Sequence, residues 1–215
     1  MAGFIETTGI VLKSVPVKEY DRRVVILTGD FGKISAFANG ARRQGNRFAA
    51  ATDLFVLSDF KLYGGRESYS ISDINPKEYF EVLRRDMDAA LLGMYFLEYM
   101  DHCTAENNDE REMLILLYQS LRALTHPAYD RRLVRAVFEL KSVMLLGVFN
   151  RDIYEEKNSP VLGTADYIAG TETRHVFSFA LKEEALKELE KMAADAVRRA
   201  FEGHEFSSLA LIKTL

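Results

Sequence analysis

The sequence predicts an α+β protein in which a small five-stranded β-barrel is followed by an all-α helical domain. Two observations predict it. Residues 1–75 contain short β-branched or alternating segments separated by glycine-rich turns, as in a small closed barrel. From Tyr79 onward, apolar residues recur at i, i+3 and i+4, which is the helical period. Pro76 marks the change, so the predicted domains are 1–80 and 81–215.

The five predicted strands are short and lie close together in the sequence. They cover residues 5–15, 23–28, 33–38, 54–63 and 67–74. Pro16 ends or bends the first strand. Gly29 to Gly32 and Asn39-Gly40 form turns. Five such strands fit an OB-fold, the barrel that binds single-stranded nucleic acid, and an SH3-like barrel fits the count nearly as well.

Helical periodicity dominates the rest of the chain. Predicted helices cover 79–104, the segment from the capping cluster at 107–110 to residue 125, and 130–146 with Asp130 as its cap. Residues 148–173 are predicted to be irregular, and 175–179 to form a short strand. A long amphipathic helix is predicted over 181–202, closed by Gly203, and a short one over 207–215.

The composition is typical of a soluble globular protein. The chain has 215 residues, of which 48% are hydrophobic and 28% charged. No apolar run approaches the roughly 18 residues of a membrane span, and residues 1–8 lack the basic region of a secretory signal. The single cysteine, Cys103, excludes an internal disulfide and any multi-cysteine metal site. These features predict a cytoplasmic protein with no membrane partner.

Positive charge is concentrated in the N-terminal part of an acidic chain. Residues 1–80 carry a formal charge of +2, whereas residues 81–215 carry −6. The segment 31–52 contains four Lys and Arg residues and no Asp or Glu. A basic loop that closes a hairpin is a suitable seat for a polyanion, although an ordinary solvated loop has the same composition. The acidity of the whole chain favours a local patch over extensive DNA coating.

Aromatic residues near this basic segment offer a second kind of contact. Tyr20, Phe37, Phe48 and Phe60 all lie near Arg or Lys in the sequence. Exposed rings flanked by such cations stack on bases in sequence-tolerant single-strand binders. The alternative is that the rings fill the barrel core. The core is the favoured place for Phe60, and both interpretations stay open for Phe37 on the polar face of its strand.

Catalytic signatures are absent from the sequence. It has no phosphate loop ending in Lys-Ser/Thr, no nucleophile elbow and no His-Glu-x-x-His. His102 precedes Cys103, but that pair alone cannot form a zinc site. Helix surface for His102 and core for Cys103 are the favoured roles. The sequence therefore predicts a protein that is not an enzyme and has no cofactor.

Several segments in order resemble the RecO family of bacterial recombination mediators. They are Gly9-Ile10-Val11-Leu12, Tyr20-Asp21-Arg22, the turn from Thr28 to Lys33 leading into Asn39-Gly40-Ala41-Arg42-Arg43, residues 54–63, the helix at 83–97, and Phe138-Glu139-Leu140 through Gly147. The resemblance implies an N-terminal OB-fold and a helical domain. It also implies binding of single- and double-stranded DNA, strand annealing, and loading of RecA onto DNA coated by single-strand binding protein (SSB). The implied partners are RecR and the SSB tail.

The resemblance fails at one place in the helical domain. Many family members carry a four-cysteine zinc site after the helix that ends here near Gly147. Residues 150–176 contain no cysteine, so the zinc-finger region, about 148–176, is degenerate. No metal is therefore expected, and this segment must be held by other interactions.

Two sets of residues are predicted to bind the implied partners. The proposed DNA track consists of Arg22, Arg23, Lys33, Phe37, Arg42, Arg43 and Arg47. The SSB tail is acidic and ends in an apolar residue, so its receptor needs a basic rim around an apolar groove. The helix from Asp130 offers Arg131, Arg132, Arg135, Phe138 and Lys141. A surface helix with balanced charge is the alternative.

Two other functions remain possible from the sequence. An RNA-binding or translation-associated OB-fold protein would have the same basic, aromatic barrel. A protein-interaction module whose barrel binds no nucleic acid would fit the helical half equally well. Competition between single-stranded DNA and RNA of matched sequence separates the first of these from the DNA-binding hypothesis, and oligonucleotide binding at low salt tests the second.

We expect the purified protein to contain no stoichiometric zinc. Structural zinc sites use four ligands, and this chain supplies only the thiolate of Cys103. Elemental analysis of the purified protein checks this, and one zinc per chain would contradict it.

Overall fold

The computed structural model describes residues 3–64 and 68–212. Its N-terminal part, through Glu78, is a closed barrel with the strand order β1-β2-β3-β5-β4. The strands are β1 (Phe4–Val17), β2 (Asp21–Thr28), β3 (Lys33–Ala38), β4 (Leu57–Gly64) and β5 (Tyr69–Glu78). β3 pairs with β5 in parallel and all other pairs are antiparallel. This architecture confirms the predicted five-stranded OB-fold.

Small and branched residues fill the barrel interior. The core contains Val11, Val24, Ile26, Ile34, Ala36, Ala38, Phe60, Leu62 and Ile71. Phe60 therefore lies in the core, as predicted. β1 and β2 approach closely at Gly9, where a Cβ atom would lie 2.6 Å from the Leu27 carbonyl oxygen and 2.6 Å from Ile26 Cγ2. Only glycine fits this contact without a shift of the backbone.

β1 is longer than predicted because Pro16 does not end it. The strand pairs with β4 through residues 4–10 and with β2 through residues 9–17, with a bulge between Val11 and Lys13. Pro16 lies beyond the part that pairs with β4, so one side of the strand needs no N–H donor there. Pro76 is likewise tolerated inside β5, which extends past the predicted end at residue 74. Residue 67, the predicted start of that strand, lies outside the described residues.

The chain after the barrel is helical, and we call it the helical half. After the short α1 (Phe48–Ala51) between β3 and β4, the helices are α2 (Met87–Cys103), α3 (Arg111–Thr125), α4 (Arg131–Leu145), α5 (Asp152–Glu156), α6 (Leu162–Gly170), α7 (Glu183–Ala200) and α8 (Ser207–Ile212). Asp130 caps α4 as predicted, its carboxylate accepting from the Arg132 N–H at 2.9 Å. No helix of the described residues is long and apolar enough to cross a bilayer.

Three further predicted elements differ from the structure in where they begin or in whether they form. The helix predicted from residue 79 begins only at Met87, because Phe80 has a φ of 47° and a 3₁₀ turn occupies Glu81–Arg84. The fourth strand starts at Leu57 rather than residue 54, since Phe55 has a φ of 72°. The strand predicted at 175–179 is absent, and a 3₁₀ turn at Thr173–His175 leads into irregular chain.

The segment predicted to be irregular, 148–173, contains α5 and α6. Its apolar residues Tyr154, Val161, Ala165 and Ile168 are buried in the core of the helical half. The Lys141 ammonium donates to three carbonyls at the end of α6, including that of Thr171 at 2.7 Å. Apolar packing and this lysine therefore hold the region where the resemblance implied a degenerate zinc site.

The outer face of the barrel packs against the helices. Ile10, Leu12, Leu27 and Phe55 are buried together with residues of α2 and α3 in one apolar cluster. Backbone hydrogen bonds join the β2–β3 turn to the α2–α3 connection, for example from the Lys33 N–H to the Ala105 carbonyl at 2.9 Å. The barrel and the helices are therefore joined by both apolar and polar contacts.

We expect Gly9→Ala to lower the free energy of unfolding by about 1–3 kcal/mol, the usual cost of overpacking. The added methyl group meets both the Leu27 carbonyl oxygen and the buried side chain of Ile26 on β2. Urea denaturation measures the effect. Gly163→Ala is the matched control, since no atom lies within 4 Å of its added Cβ. Equal stability of Gly9→Ala and the wild type would contradict the close approach of the two strands.

Candidate nucleic-acid interface

The basic loop after β3 is fixed by hydrogen bonds to the turn between β1 and β2. The Asp21 carboxylate accepts from the Gly40 N–H at 2.8 Å, and the Arg42 N–H donates to the Tyr20 carbonyl at 2.9 Å. Gly40 has a φ of 67°, which favours glycine, and Ala41 is fully buried. The backbone is therefore held in place while the arginine side chains point outward.

Three arginines of this loop are exposed, as predicted from the sequence. Arg42 donates to the Glu19 carbonyl at 3.1 Å, and the Arg43 guanidinium lies 5.1 Å from the centre of the Tyr20 ring. Arg47 pairs with Asp73 at 3.0 Å, and both side chains are largely exposed. Exposed ion pairs contribute little, so a phosphate can compete for Arg47.

Arg23 and Phe37 lie beside the loop on the outer face of the barrel. They are directly opposite each other in the β2–β3 ladder, next to the exposed Val15 of β1. Phe37 is half-buried, and its neighbours Ala36 and Ala38 point into the core instead. The structure therefore places Phe37 on the outside, where a base can reach it.

We call this surface the barrel-end patch. It consists of Tyr20, Arg23, Phe37, Arg42, Arg43 and Arg47. It combines guanidinium groups with two accessible aromatic rings on a backbone fixed by hydrogen bonds. Arginines contact phosphates and rings stack on bases, so the arrangement is suited to a single strand of nucleic acid.

Two residues of the predicted track lie outside the patch. Arg22 is only 24% exposed and donates to Asp53 at 2.7 Å and to the Ala49 carbonyl at 2.9 Å, so it holds the α1 segment against the barrel. Lys33 lies at the opposite end of β3 and bonds to both the carbonyl and the carboxylate of Asp101 in α2. Lys33 is therefore part of the contact between barrel and helices and not of the patch.

The face of α4 predicted to receive the SSB tail is not an open surface. Phe138 is fully buried and its ring stacks on Phe96 with centroids 4.0 Å apart. Lys141 is 5% exposed and caps α6. Both residues were predicted to contact a partner because they share a helix with Arg131 and Arg135, but this side of α4 faces the protein interior.

The arginines of α4 are neutralised by acidic residues of other elements, of the α4 cap and of α4 itself. Arg131 bonds to Asp86, and Arg132 bonds to Asp130 at 3.0 Å and to Glu183 at 2.7 Å. Arg135 donates to Glu139 at 2.9 Å, and that carboxylate also accepts from the Tyr95 hydroxyl at 2.8 Å. The excess positive charge expected from the sequence of α4 is therefore cancelled in the fold.

A basic recess that the sequence did not reveal lies at the end of α3. It has a volume of about 390 Å³, and its lining includes Arg122, His126, Tyr129, Arg174, His175 and Phe177. No acidic residue is among its described lining residues. The two arginines are far apart in the sequence and neither lies in a basic run, so no local signal indicated that they would meet. We call this site the α3 recess.

His102 and Cys103 are the residues of the described chain whose side chains could suggest a metal site, and their surroundings are as follows. No group of three or more His, Cys, Asp or Glu residues in the described part of the chain is placed to hold a metal ion. His102 stacks on His204 with ring centroids 4.1 Å apart. Burial and the neighbouring His204 lower the pKa of His102. Burial raises the pKa of the Cys103 thiol to about 12, which makes it a poor ligand and nucleophile.

Comparison with known proteins gives matches along most of the chain. The family model described as recombination protein O N terminal matches residues 1–80, and the model described as recombination protein O C terminal matches residues 84–149. Residues after 149 lie outside both matches.

Individual relatives agree with these matches. The chain is 26% identical to the DNA repair protein RecO of Acetivibrio thermocellus over 99% of this chain and 97% of that protein. It is 31% identical to the RecO of Clostridium novyi over 66% of this chain, and 36% identical to that of Symbiobacterium thermophilum over 65%. These two alignments span 56% and 55% of the relatives, just over half of their length.

Proposed function

The chain belongs to the RecO family of DNA repair proteins, and from this membership we propose that it is a recombination mediator without catalytic turnover. In this proposal it binds single- and double-stranded DNA, anneals complementary strands and helps to load RecA onto SSB-coated DNA. The observation that carries the proposal is the barrel-end patch, where Arg42 and Arg43 stand exposed beside accessible rings.

The fixed backbone of the patch supports binding by a preformed surface. Ordering a flexible loop costs free energy on binding, and here the bonds from Gly40 and Arg42 to the β1–β2 turn remove most of that cost. Tyr20 and Phe37 add stacking surface that accepts any base. The patch therefore favours strands without strong sequence preference, as annealing of arbitrary complements requires.

RNA binding is the alternative function that the same patch allows. Phosphate and stacking contacts do not distinguish the two nucleic acids, since the 2′-hydroxyl is the group by which a protein tells RNA from DNA. Family membership favours DNA. Competition between matched DNA and RNA strands decides between the two.

The SSB tail is the proposed protein partner of the helical half, with the α3 recess as its site. Arg122 and Arg174 supply positive charge without acidic neighbours in the described lining, and Phe177 and Tyr129 supply apolar surface. An acidic peptide that ends in an apolar residue needs both features. RecR stays a proposed partner on the family resemblance alone.

We expect log affinity for single-stranded DNA to fall with log salt with a slope of about −3, because four phosphate contacts release about 0.7 counterions each. Arg42→Ala/Arg43→Ala should flatten the slope by about 1.4 and weaken binding similarly for all sequences. Fluorescence anisotropy across a salt series measures both. Lys187→Ala/Lys191→Ala, on the exposed face of α7, is the control. An unchanged slope in the patch variant, with the fold intact, would place the DNA elsewhere.

We expect Arg122→Ala/Arg174→Ala to weaken binding of an SSB-tail peptide about tenfold, since each lost charge contact is worth roughly 0.7 kcal/mol. Oligonucleotide binding should not change. Arg132→Ala is the matched control on α4, because its guanidinium is already engaged by Asp130 and Glu183. Calorimetric titration with the peptide measures the difference. If Arg132→Ala weakens peptide binding and Arg122→Ala/Arg174→Ala does not, the peptide binds at α4 and not in the α3 recess.

A further inference from the structure

A second basic recess lies where the barrel meets the start of the helical half. Its volume is about 350 Å³, and its lining includes Arg22, Arg42, Asp53, Leu54, Phe55 and Arg84. We call it the junction recess. Arg84 comes from the 3₁₀ turn that precedes α2, so this site combines residues of both halves of the chain.

Asp53 orients two of the three arginines in this recess. Its Oδ1 accepts from Arg22 at 2.7 Å and its Oδ2 from Arg84 at 3.3 Å. The third, Arg42, donates to the backbone carbonyls of Lys18 and Glu19, the closer being that of Glu19 at 3.1 Å. Each guanidinium has five N–H donors, so donors remain for a ligand. The described lining residues carry three positive charges and one negative charge, a net charge of +2.

The floor of the recess is closed. Phe55 is 7% exposed and belongs to the apolar cluster that joins the barrel to the helices. Its ring lies against α2 at Gly93, where an added Cβ would approach Phe55 to 2.9 Å. A nucleic acid strand therefore cannot pass through the recess. A strand can therefore either end in the recess or place one internal phosphate in it.

We propose that the junction recess binds the terminal phosphomonoester of a DNA strand. The inference rests on the proposed DNA-binding function and extends it to strand ends. A terminal phosphate carries a charge of about −1.5 to −2 at pH 7 because its second pKa is about 6, whereas a backbone phosphate carries only one charge. The dianion matches the net charge of the lining, and planar arginines bind phosphate bidentately.

The recess is continuous with the barrel-end patch through one residue. Arg42 belongs to the patch and also lines the recess. A strand that lies on the patch can therefore place its end on Arg22 and Arg84. Leu54 offers an apolar surface to the terminal sugar or base.

The test compares three internally labelled single strands of one sequence, with a 5′-phosphate, with a 3′-phosphate and with hydroxyls at both ends. We expect one phosphorylated strand to bind about tenfold more tightly than the hydroxyl strand. This is the gain expected from additional hydrogen bonds between arginine side chains and the charged terminal phosphate. The arm that gains affinity identifies the strand end. Equal affinity of all three strands would overturn the inference and leave DNA binding itself intact. Binding of none would overturn both.

Arg84→Ala assigns the preference to the recess. It should abolish the preference for the terminal phosphate and leave the affinity of the hydroxyl strand unchanged. Arg85→Ala is the matched control, since Arg85 is the next residue, is highly exposed and pairs only weakly with Glu81 at 3.4 Å. If Arg84→Ala instead weakens all three strands equally, the recess holds an internal phosphate and the inference is wrong. Urea denaturation of both variants verifies that the fold is retained.

Discussion

Burial of the outer face of the barrel against α2 and α3 is the contact on which the rest of the structure depends. Phe55 enters the shared core with a left-handed backbone, and the absence of a side chain at Gly93 leaves room for its ring. This packing removes part of the barrel surface from any ligand. It also explains why Lys33, on the buried side, bonds to Asp101 of α2 while the opposite end of β3 stays free for a ligand.

Buried charges on α4 hold the helical half together. Glu139 is 2% exposed and Lys141 is 5% exposed, and burial of an unpaired charge costs several kcal/mol. Glu139 is satisfied by Arg135 and by Tyr95, whose pKa is raised by burial and then by the neighbouring carboxylate. Burial lowers the pKa of Lys141, and its three carbonyl partners compensate for part of the lost hydration. The lysine thus links α4 to the segment where the resemblance implied a degenerate zinc site.

Features set by local sequence could be predicted, and features set by distant partners could not. The alternation in β3 and a run without acidic residues, which marked the exposed loop arginines, could be recognised locally. The expectation that the basic loop closes a hairpin is wrong, because β3 pairs with β2 and β5 while the loop leads through α1 to β4, which pairs with β1 and β5. The surroundings of Arg22, Arg131 and Arg132 could not be predicted because carboxylates that bind them come from elsewhere in the chain. These carboxylates are Asp53, Asp86 and Glu183, respectively. The α3 recess and Arg84 were missed for the same reason, since only the fold brings such residues together.

A small basic patch on an acidic chain predicts weak, salt-sensitive binding of DNA. With about four phosphate contacts, affinity for a single strand should fall roughly 50-fold between 50 and 200 mM salt, far less than for a protein making ten contacts. The net charge of −4 adds long-range repulsion that no local contact removes. Binding of this kind is readily reversed, which suits a mediator that must hold a strand briefly and then give it to another protein. A binding site for the strand end at the junction recess would fix the position of the bound strand with few additional contacts. One dianionic terminus defines the register of the strand on the protein, whereas the patch contacts only phosphates and ring faces and defines no register.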